Sequence, residues 1–73
     1  MEIMTFADFL SKVKRNFHPL RYESDIHYRS VLFHQYGESY RYYCRMHHLV
    51  HEYDTIAYDV RQYEQRLVLW GSQ

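Results

Sequence analysis

The sequence predicts a small α+β domain with elements in the order α-β-β-α. One stripe of apolar residues at helical spacing opens the chain, and a second such stripe closes it. Between them, residues 25–50 show no helical stripe, are rich in strand-forming residues and contain one glycine suited to a tight turn. We therefore expect an antiparallel β-hairpin packed against two helices. A short third strand near residues 51–58 is left open.

The first helix is predicted to begin at a capping box. Thr5 suits the N-cap position, and Asp8 follows it by three residues. The apolar positions after the cap recur at helical spacing and predict a buried stripe: Phe6, Phe9, Leu10, Val13 and Phe17. Pro19 is expected to end the helix, because proline in a helix interior removes a backbone hydrogen bond. Residues 18–25 would then form a connector.

The hairpin is predicted from Gly37 and Glu38, which suit the two central positions of a type II′ turn. Such a turn pairs Tyr36 with Ser39 and so fixes the register of both strands. The core face of the hairpin then carries Val31, Phe33, Tyr42, Cys44, Met46 and Val50. The opposite face is aromatic and basic, and its main residues are Tyr28, Leu32, Arg41, Tyr43, Arg45 and His47.

The last element is predicted to be a helix capped by Asp54 or Thr55. Its apolar stripe consists of Ile56, Val60, Tyr63, Leu67 and Trp70. Gly71 suits a helix C-cap. The alternative is a pair of strands within residues 55–70. That alternative requires a turn in residues 61–65, where no typical turn residue occurs, so we favour the helix.

Length and charge limit the possible classes of protein. Seventy-three residues suit a single domain spanning 1–73. Nine basic and nine acidic side chains cancel, which argues against non-specific DNA binding. Residues 12–45 contain seven basic and three acidic residues, whereas residues 46–73 contain two and four. One cysteine, no signal peptide and no long apolar run lead us to expect a cytoplasmic protein without membrane contact.

The residues that most often carry chemistry do not predict an enzyme. His47 and His51 have a spacing that would share a metal ion on a helix. On the predicted strand they would lie about 13 Å apart, so we expect neither a metal site nor a cofactor. Cys44 is expected to be a small apolar core residue rather than a nucleophile. There is no glycine-rich phosphate loop, and so short a chain has little room to enclose a substrate pocket.

The nine tyrosines are the strongest functional signal, because only Tyr42 and Tyr63 have a predicted core position. Any domain this small exposes some aromatic rings, which accounts for part of the excess. Tyrosine also joins a rigid apolar ring to a polar tip and is enriched at protein interfaces. We therefore predict a non-enzymatic protein-binding module. The candidate partner-binding residues are Tyr28, Leu32, Tyr36, Tyr40, Arg41, Tyr43, Arg45, His47 and Tyr58.

Three kinds of partner are compatible with this prediction. Small, neutral, tyrosine-rich domains are common among inhibitors encoded by phages and mobile elements, including anti-CRISPR proteins. On size and composition alone, we expect the partner to be a larger protein or nucleoprotein complex. The alternative is single-stranded nucleic acid, stacked on the aromatic and basic sheet face, although the neutral total charge disfavours it. Homo-oligomerisation through Tyr58 and Leu69 is the third possibility.

Overall fold

The computed structural model describes residues 2–71, and this part of the chain folds into four helices. They are α1 (Phe6–Val13), α2 (Pro19–Ser24), α3 (Ile26–Met46) and α4 (Tyr53–Gly71). Within the same range, β pairing is limited to an isolated parallel bridge between Ile3 and Val50. The predicted α+β fold with a β-hairpin is therefore wrong, because the segment assigned to the hairpin is one long helix.

Helix α1 begins at the predicted capping box. The Thr5 hydroxyl accepts a hydrogen bond from the Asp8 amide at 3.1 Å, and the Asp8 carboxylate accepts one from the Thr5 amide at 3.4 Å. The residues buried on this helix are Phe6, Phe9 and Leu10, as predicted. The helix is shorter than expected. Val13 is exposed at its end, and Phe17 lies beyond it, edge-on to the ring of Tyr22.

Pro19 begins a helix rather than ending one, so the connector predicted at residues 18–25 is wrong. Proline fits the first helical position, where its missing N–H has no intrahelical acceptor. Asp25 then caps α3 by accepting hydrogen bonds from the amides of His27 and Tyr28, at 3.0 and 3.3 Å. These bonds lower the pKa of the Asp25 carboxyl, with a further contribution from Arg21.

Helix α3 has an aromatic stripe at helical spacing, formed by Phe33, Tyr36, Tyr40, Tyr43 and His47. The turn predicted at Gly37–Glu38 is wrong, since Gly37 lies in the middle of this helix. A Cβ atom at Gly37 would meet the Phe33 ring at 3.2 Å and the Tyr53 ring at 3.4 Å. Glycine is present here because two rings pack directly against the helix backbone, and not because the chain turns.

Helix α4 is confirmed as a helix, so the two-strand alternative and the third strand at residues 51–58 are both wrong. It runs antiparallel to α3, because Tyr53 at its start bonds to Glu38 in the second half of α3, whereas Tyr63 further along lies against His27 at the beginning of α3. The hydroxyl of Tyr63 lies 2.8 Å from His27 Nδ1, and Glu64 Oε2 lies 2.9 Å from His34 Nε2. The C-cap role predicted for Gly71 depends on residues 72 and 73, which lie outside the described residues.

The C-terminal end of α3 is closed by a left-handed residue, His48, with φ 55°. The Leu49 amide donates to the Cys44 carbonyl at 2.8 Å, and the His48 amide donates to the Arg45 carbonyl at 3.3 Å. These two bonds form a Schellman motif, which turns the chain away from the helix axis. The connector then runs beside the N-terminal segment, and the two are joined at the Ile3–Val50 bridge.

The core differs from the predicted one in all four helices. Several predicted core residues are exposed: Val13, Val31, Tyr42, Met46, Val50, Leu67 and Trp70. Several residues not predicted to be core are buried instead: Met4, Tyr22, Leu32 and Tyr40. In α3 the reason for the difference is geometric. Alternate residues share a face on a strand, but on a helix they point about 200° apart, so the predicted core face is divided between the two sides of α3.

Candidate functional site

A surface groove of about 760 Å³ lies between α1 and the C-terminal half of α3. It is open to solvent along its length, and most of its wall is apolar. We call it the α1–α3 groove, and define it by the residues that line it: Phe9, Val13, Glu38, Ser39, Tyr42, Tyr43, Met46 and His47.

The floor of the groove is a set of packed rings. The Tyr43 ring lies 5.6 Å from the ring of Phe9 and 4.2 Å from the imidazole of His47. Phe9 is buried in the core, so the floor is held in place by the same packing that stabilises the fold. Aromatic groups fixed in this way offer contact area at little cost in conformational entropy.

The walls of the groove are exposed apolar side chains. Tyr42 and Met46 occupy positions i and i+4 and therefore share one face of α3. Val13 supplies the opposite wall from the end of α1. All three are exposed. Methionine is unbranched and polarisable, so a wall containing Met46 adapts to apolar groups of different shapes.

Basic side chains flank the groove on two sides. On one side Lys12, together with the acids Glu2 and Asp8, lies in a neighbouring depression that shares Tyr43 and His47 with the groove. On the other side Arg45 lies in a depression that shares Tyr42. In the described part of the chain, neither Lys12 nor Arg45 forms an ion pair. Their charges are therefore available to a partner.

Glu38, the acid at the rim, is already engaged within the chain. It accepts hydrogen bonds from the Arg41 guanidinium at 3.1 Å and from the Tyr53 hydroxyl at 2.8 Å. The bond from Tyr53 raises the pKa of that phenol, and burial adds to the effect. The Arg41 guanidinium also lies 4.8 Å above the Tyr53 ring. The negative charge of Glu38 is thus balanced locally by Arg41.

Four of the predicted partner-binding residues lie in or beside the groove. Tyr43 and His47 are part of its floor, and Arg41 and Arg45 share a depression beside it. The two pairs occupy different faces of α3, because alternate residues do not share a face of a helix. The continuous aromatic and basic sheet face expected for nucleic-acid stacking is therefore not formed by these residues.

The other five predicted residues lie elsewhere. Leu32 and Tyr40 are buried in the core. Tyr36 is half-buried against the core, and Tyr28 is half-buried between the Phe17 ring and the Arg21 guanidinium. Tyr58 is exposed on α4, away from the groove.

The groove was not predicted from the sequence, because its wall residues were expected to lie in the core. Val13, Tyr42 and Met46 were all predicted to be buried. A signal for the groove is present in the sequence, since Tyr42, Tyr43, Met46 and His47 cluster on one side of a helix at positions i, i+1, i+4 and i+5. That signal is visible only if residues 26–46 are taken as a helix.

Residues that could bind a metal ion do not cluster in the region that the structure describes. No group of three or more His, Cys, Asp or Glu residues there lies close enough to hold a metal ion. His47 caps the end of α3 and His51 lies in the connector, so these two do not share a helix face. Cys44 is buried, and this burial raises the pKa of its thiol.

Comparisons of the chain with protein-family models, with curated proteins and with solved structures found no match. Across residues 2–71, no helix combines the length and the apolar character needed to cross a membrane.

Proposed function

We propose that this chain is a non-enzymatic protein-binding module whose α1–α3 groove receives an apolar side chain from a larger protein. The supporting observation is the open groove itself, with a fixed aromatic floor and exposed Tyr42 and Met46 walls. Tyrosine, methionine and arginine are enriched at protein interfaces. An open groove favours a protein partner over a small molecule, because small-molecule sites usually bury 70–90% of the ligand surface.

The rim charges support a particular chemistry for the partner. Lys12 and Arg45 flank the apolar groove on opposite sides. They would favour a partner segment in which an apolar anchor is flanked by aspartate or glutamate. An amphipathic helix supplies such an anchor in its i, i+3 and i+4 positions. Rim charges of this kind act mainly on the association rate and on specificity.

A module of this type acts by occupying a surface of its partner. This mode of action suits an inhibitor of a larger protein or nucleoprotein complex, the class to which anti-CRISPR proteins belong. The small size, the neutral total charge and the abundance of tyrosine support the same proposal.

The proposal is tested by capture from an extract of the source organism, with the wild-type chain and Met46→Glu as baits. Met46→Glu places a charge in the groove wall without touching the core. Gln62→Glu is the matched control, because it makes the same change in charge at an exposed position on α4. We expect one partner to be captured by the wild type and by Gln62→Glu, and to be lost with Met46→Glu.

The captured partner then allows the affinity to be measured. Tyr42→Ala should raise the dissociation constant at least tenfold, which corresponds to about 1.4 kcal/mol. Lys12→Glu should mainly slow association. If circular dichroism shows that these variants are folded and they still bind like the wild type, the groove is not the binding site. Binding to oligonucleotides with a steep salt dependence, lost in the same variants, would instead favour nucleic acid as the partner.

A further inference from the structure

The two sides of the α1–α3 groove differ in their charged residues. The depression on one side has a volume of about 80 Å³, and we call it the Arg45 depression and define it by its lining: Glu38, Arg41, Tyr42 and Arg45. The depression on the other side has a volume of about 580 Å³, and its charged residues are of both signs: Glu2, Asp8 and Lys12. We call this second one the Lys12 depression.

The Arg45 depression contains one positive charge that has no counter-charge. Both carboxylate oxygens of Glu38 are engaged, because Oε2 accepts a hydrogen bond from Arg41 at 3.1 Å and Oε1 accepts one from the Tyr53 hydroxyl at 2.8 Å. The ion pair with Glu38 balances the charge of Arg41. Arg45 is exposed and forms no ion pair within residues 2–71. The guanidinium of Arg45 therefore remains available to a partner.

We propose that the Arg45 depression binds one carboxylate of the partner, supplied by an aspartate or glutamate close to the apolar residue that enters the groove. This inference rests on the proposed function and adds on which side of the apolar anchor the acid lies. A guanidinium can bind a carboxylate through two parallel hydrogen bonds. One carboxylate also matches the one remaining positive charge, whereas a phosphorylated side chain carries a charge of about −1.5 to −2.

Tyr42 connects the two parts of this surface, because it lines both the α1–α3 groove and the Arg45 depression. The apolar anchor and the carboxylate would thus lie on two sides of the same tyrosine. On a helical partner, side chains at positions i and i+4 lie about 5–6 Å apart between their Cβ atoms. Two residues of one short segment can therefore occupy the groove and the depression together.

The Lys12 depression does not make the same selection. A carboxylate placed there is attracted by Lys12 and repelled by the carboxylates of Glu2 and Asp8. These opposing effects leave little preference for an acid on that side. The partner segment is therefore oriented, because repulsion on one side and attraction on the other distinguish its two directions across the groove.

Selection from a phage-displayed library of random linear peptides tests this inference without knowledge of the natural partner. The full chain is the bait, and Met46→Glu is screened in parallel to identify the peptides that need the groove. We expect these peptides to share an apolar anchor with an aspartate or glutamate at one fixed spacing from it. Changing that acid to its amide in a synthetic peptide should raise the dissociation constant roughly threefold to fivefold.

Arg45→Glu tests where the acid binds. Selection with this variant should replace the acid by lysine or arginine at the same spacing, because the depression then has a net negative charge. Lys12→Glu is the matched control, since it reverses a charge on the other side of the groove and should still select the acid.

A second variant guards against a loss of folding. Arg45 lies in the last turn of α3, where a positive charge stabilises a helix. If circular dichroism shows that Arg45→Glu has lost helix, Arg45→Gln replaces it. This variant should lose the preference for an acid without gaining one for a base.

The possible failures separate this inference from the proposed function. Groove-dependent peptides with an anchor but no preferred acid would overturn the inference alone, and so would the selection of the same acidic peptides by Arg45→Glu. Displacement of the peptides by inorganic phosphate but not by acetate would overturn the assignment to a carboxylate. Peptides that bind Met46→Glu as well as they bind the wild type would count against the groove, and therefore against the proposed function itself.

Discussion

Tyr40 and Tyr42 are two residues apart on α3 and play opposite parts. Tyr40 is 0% exposed, and its hydroxyl donates to the Met4 carbonyl at 2.6 Å and accepts from the Glu52 amide at 2.8 Å. Tyr42 is 64% exposed and forms a wall of the α1–α3 groove. The two side chains point about 200° apart around the helix. The position around the helix, and not the residue type, thus determines which tyrosine stabilises the fold and which is available to a partner.

The same division applies one turn later. Cys44 lies on the Tyr40 side and is fully buried, whereas Met46 lies on the Tyr42 side and is exposed. On the Tyr40 side, α3 packs against the N-terminal segment and the connector before α4, and the Tyr40 hydroxyl bonds to both. On the Tyr42 side, α3 faces the groove that Phe9 and Val13 of α1 also line. We expect substitutions on the first side to change stability and substitutions on the second side to change binding.

The largest effect on stability is expected for Tyr40→Phe. Removing the hydroxyl leaves the Met4 carbonyl and the Glu52 amide without their partner in the core, which should lower the free energy of unfolding by roughly 2–4 kcal/mol. Chemical denaturation followed by circular dichroism measures this change. Tyr42→Phe is the matched control and should stay within about 0.5 kcal/mol of the wild type. Equal losses in the two variants would refute the division between the two sides.

Alkaline pH should also act on the Tyr40 side. Burial raises the pKa of Tyr40 from 10.0 to about 12, and burial also raises the pKa of Tyr22. Because the folded-state pKa lies above the unfolded value, the stabilisation is complete below pH 10 and is lost as pH rises from 10 through 12. Denaturant midpoints measured across this pH range should fall more steeply for the wild type than for Tyr40→Phe. Parallel curves for the two proteins would contradict the buried position of Tyr40.

A smaller effect, in the direction of higher stability, is expected for a substitution at the Schellman motif that ends α3. His48 has φ 55°, a left-handed conformation whose free energy is higher for a residue with a Cβ atom than for glycine. His48→Gly should therefore raise the free energy of unfolding by roughly 0.5–1 kcal/mol. The thermal midpoint measures this gain. A lower midpoint would show that the His48 side chain makes a stabilising contact.

The smallest effect on stability is expected for the groove wall. Met46→Ala and Tyr42→Ala remove exposed side chains, and each should change the free energy of unfolding by no more than about 0.5 kcal/mol. The Cys44 thiol provides an independent check, because its rate of modification by a thiol reagent reports opening of the core. This rate should stay at the wild-type value in both groove variants and rise in Tyr40→Phe.

The two outer helices were largely predictable from local signals. The capping box of Thr5 and Asp8 is formed by residues at the start of α1, so it can be recognised without knowledge of the rest of the chain. The apolar stripe of α4, from Ile56 to Trp70, likewise has an unbroken helical spacing. Its exposed end could not be predicted, because the exposure of Leu67 and Trp70 depends on where α3 begins.

Helix α3 was not predictable by the same means. The sequence predicts a turn at Gly37, but the role of this glycine depends on the rings of Phe33 and Tyr53, and Tyr53 belongs to another helix. The buried residues of α3 are Ser30, Leu32, Gly37, Tyr40 and Cys44, and Leu32 is the single aliphatic residue among them, so a search for aliphatic spacing does not detect this buried side. The α1–α3 groove was missed for this reason, since its walls are identified only once the phase of α3 is known.

The hydroxyl of Tyr40 also has a consequence for folding kinetics. It bonds to Met4, whose partners Tyr40 and Val50 lie 36 and 46 residues away along the chain, whereas the bond between Tyr53 and Glu38 that joins α4 to α3 spans 15 residues and each helix forms through nearer contacts. Contacts between distant residues carry a larger entropic cost of loop closure and tend to form late. Residues 2–5 should therefore reach their native contacts after the folding transition state. Changes to them should accelerate unfolding while leaving the folding rate nearly unchanged.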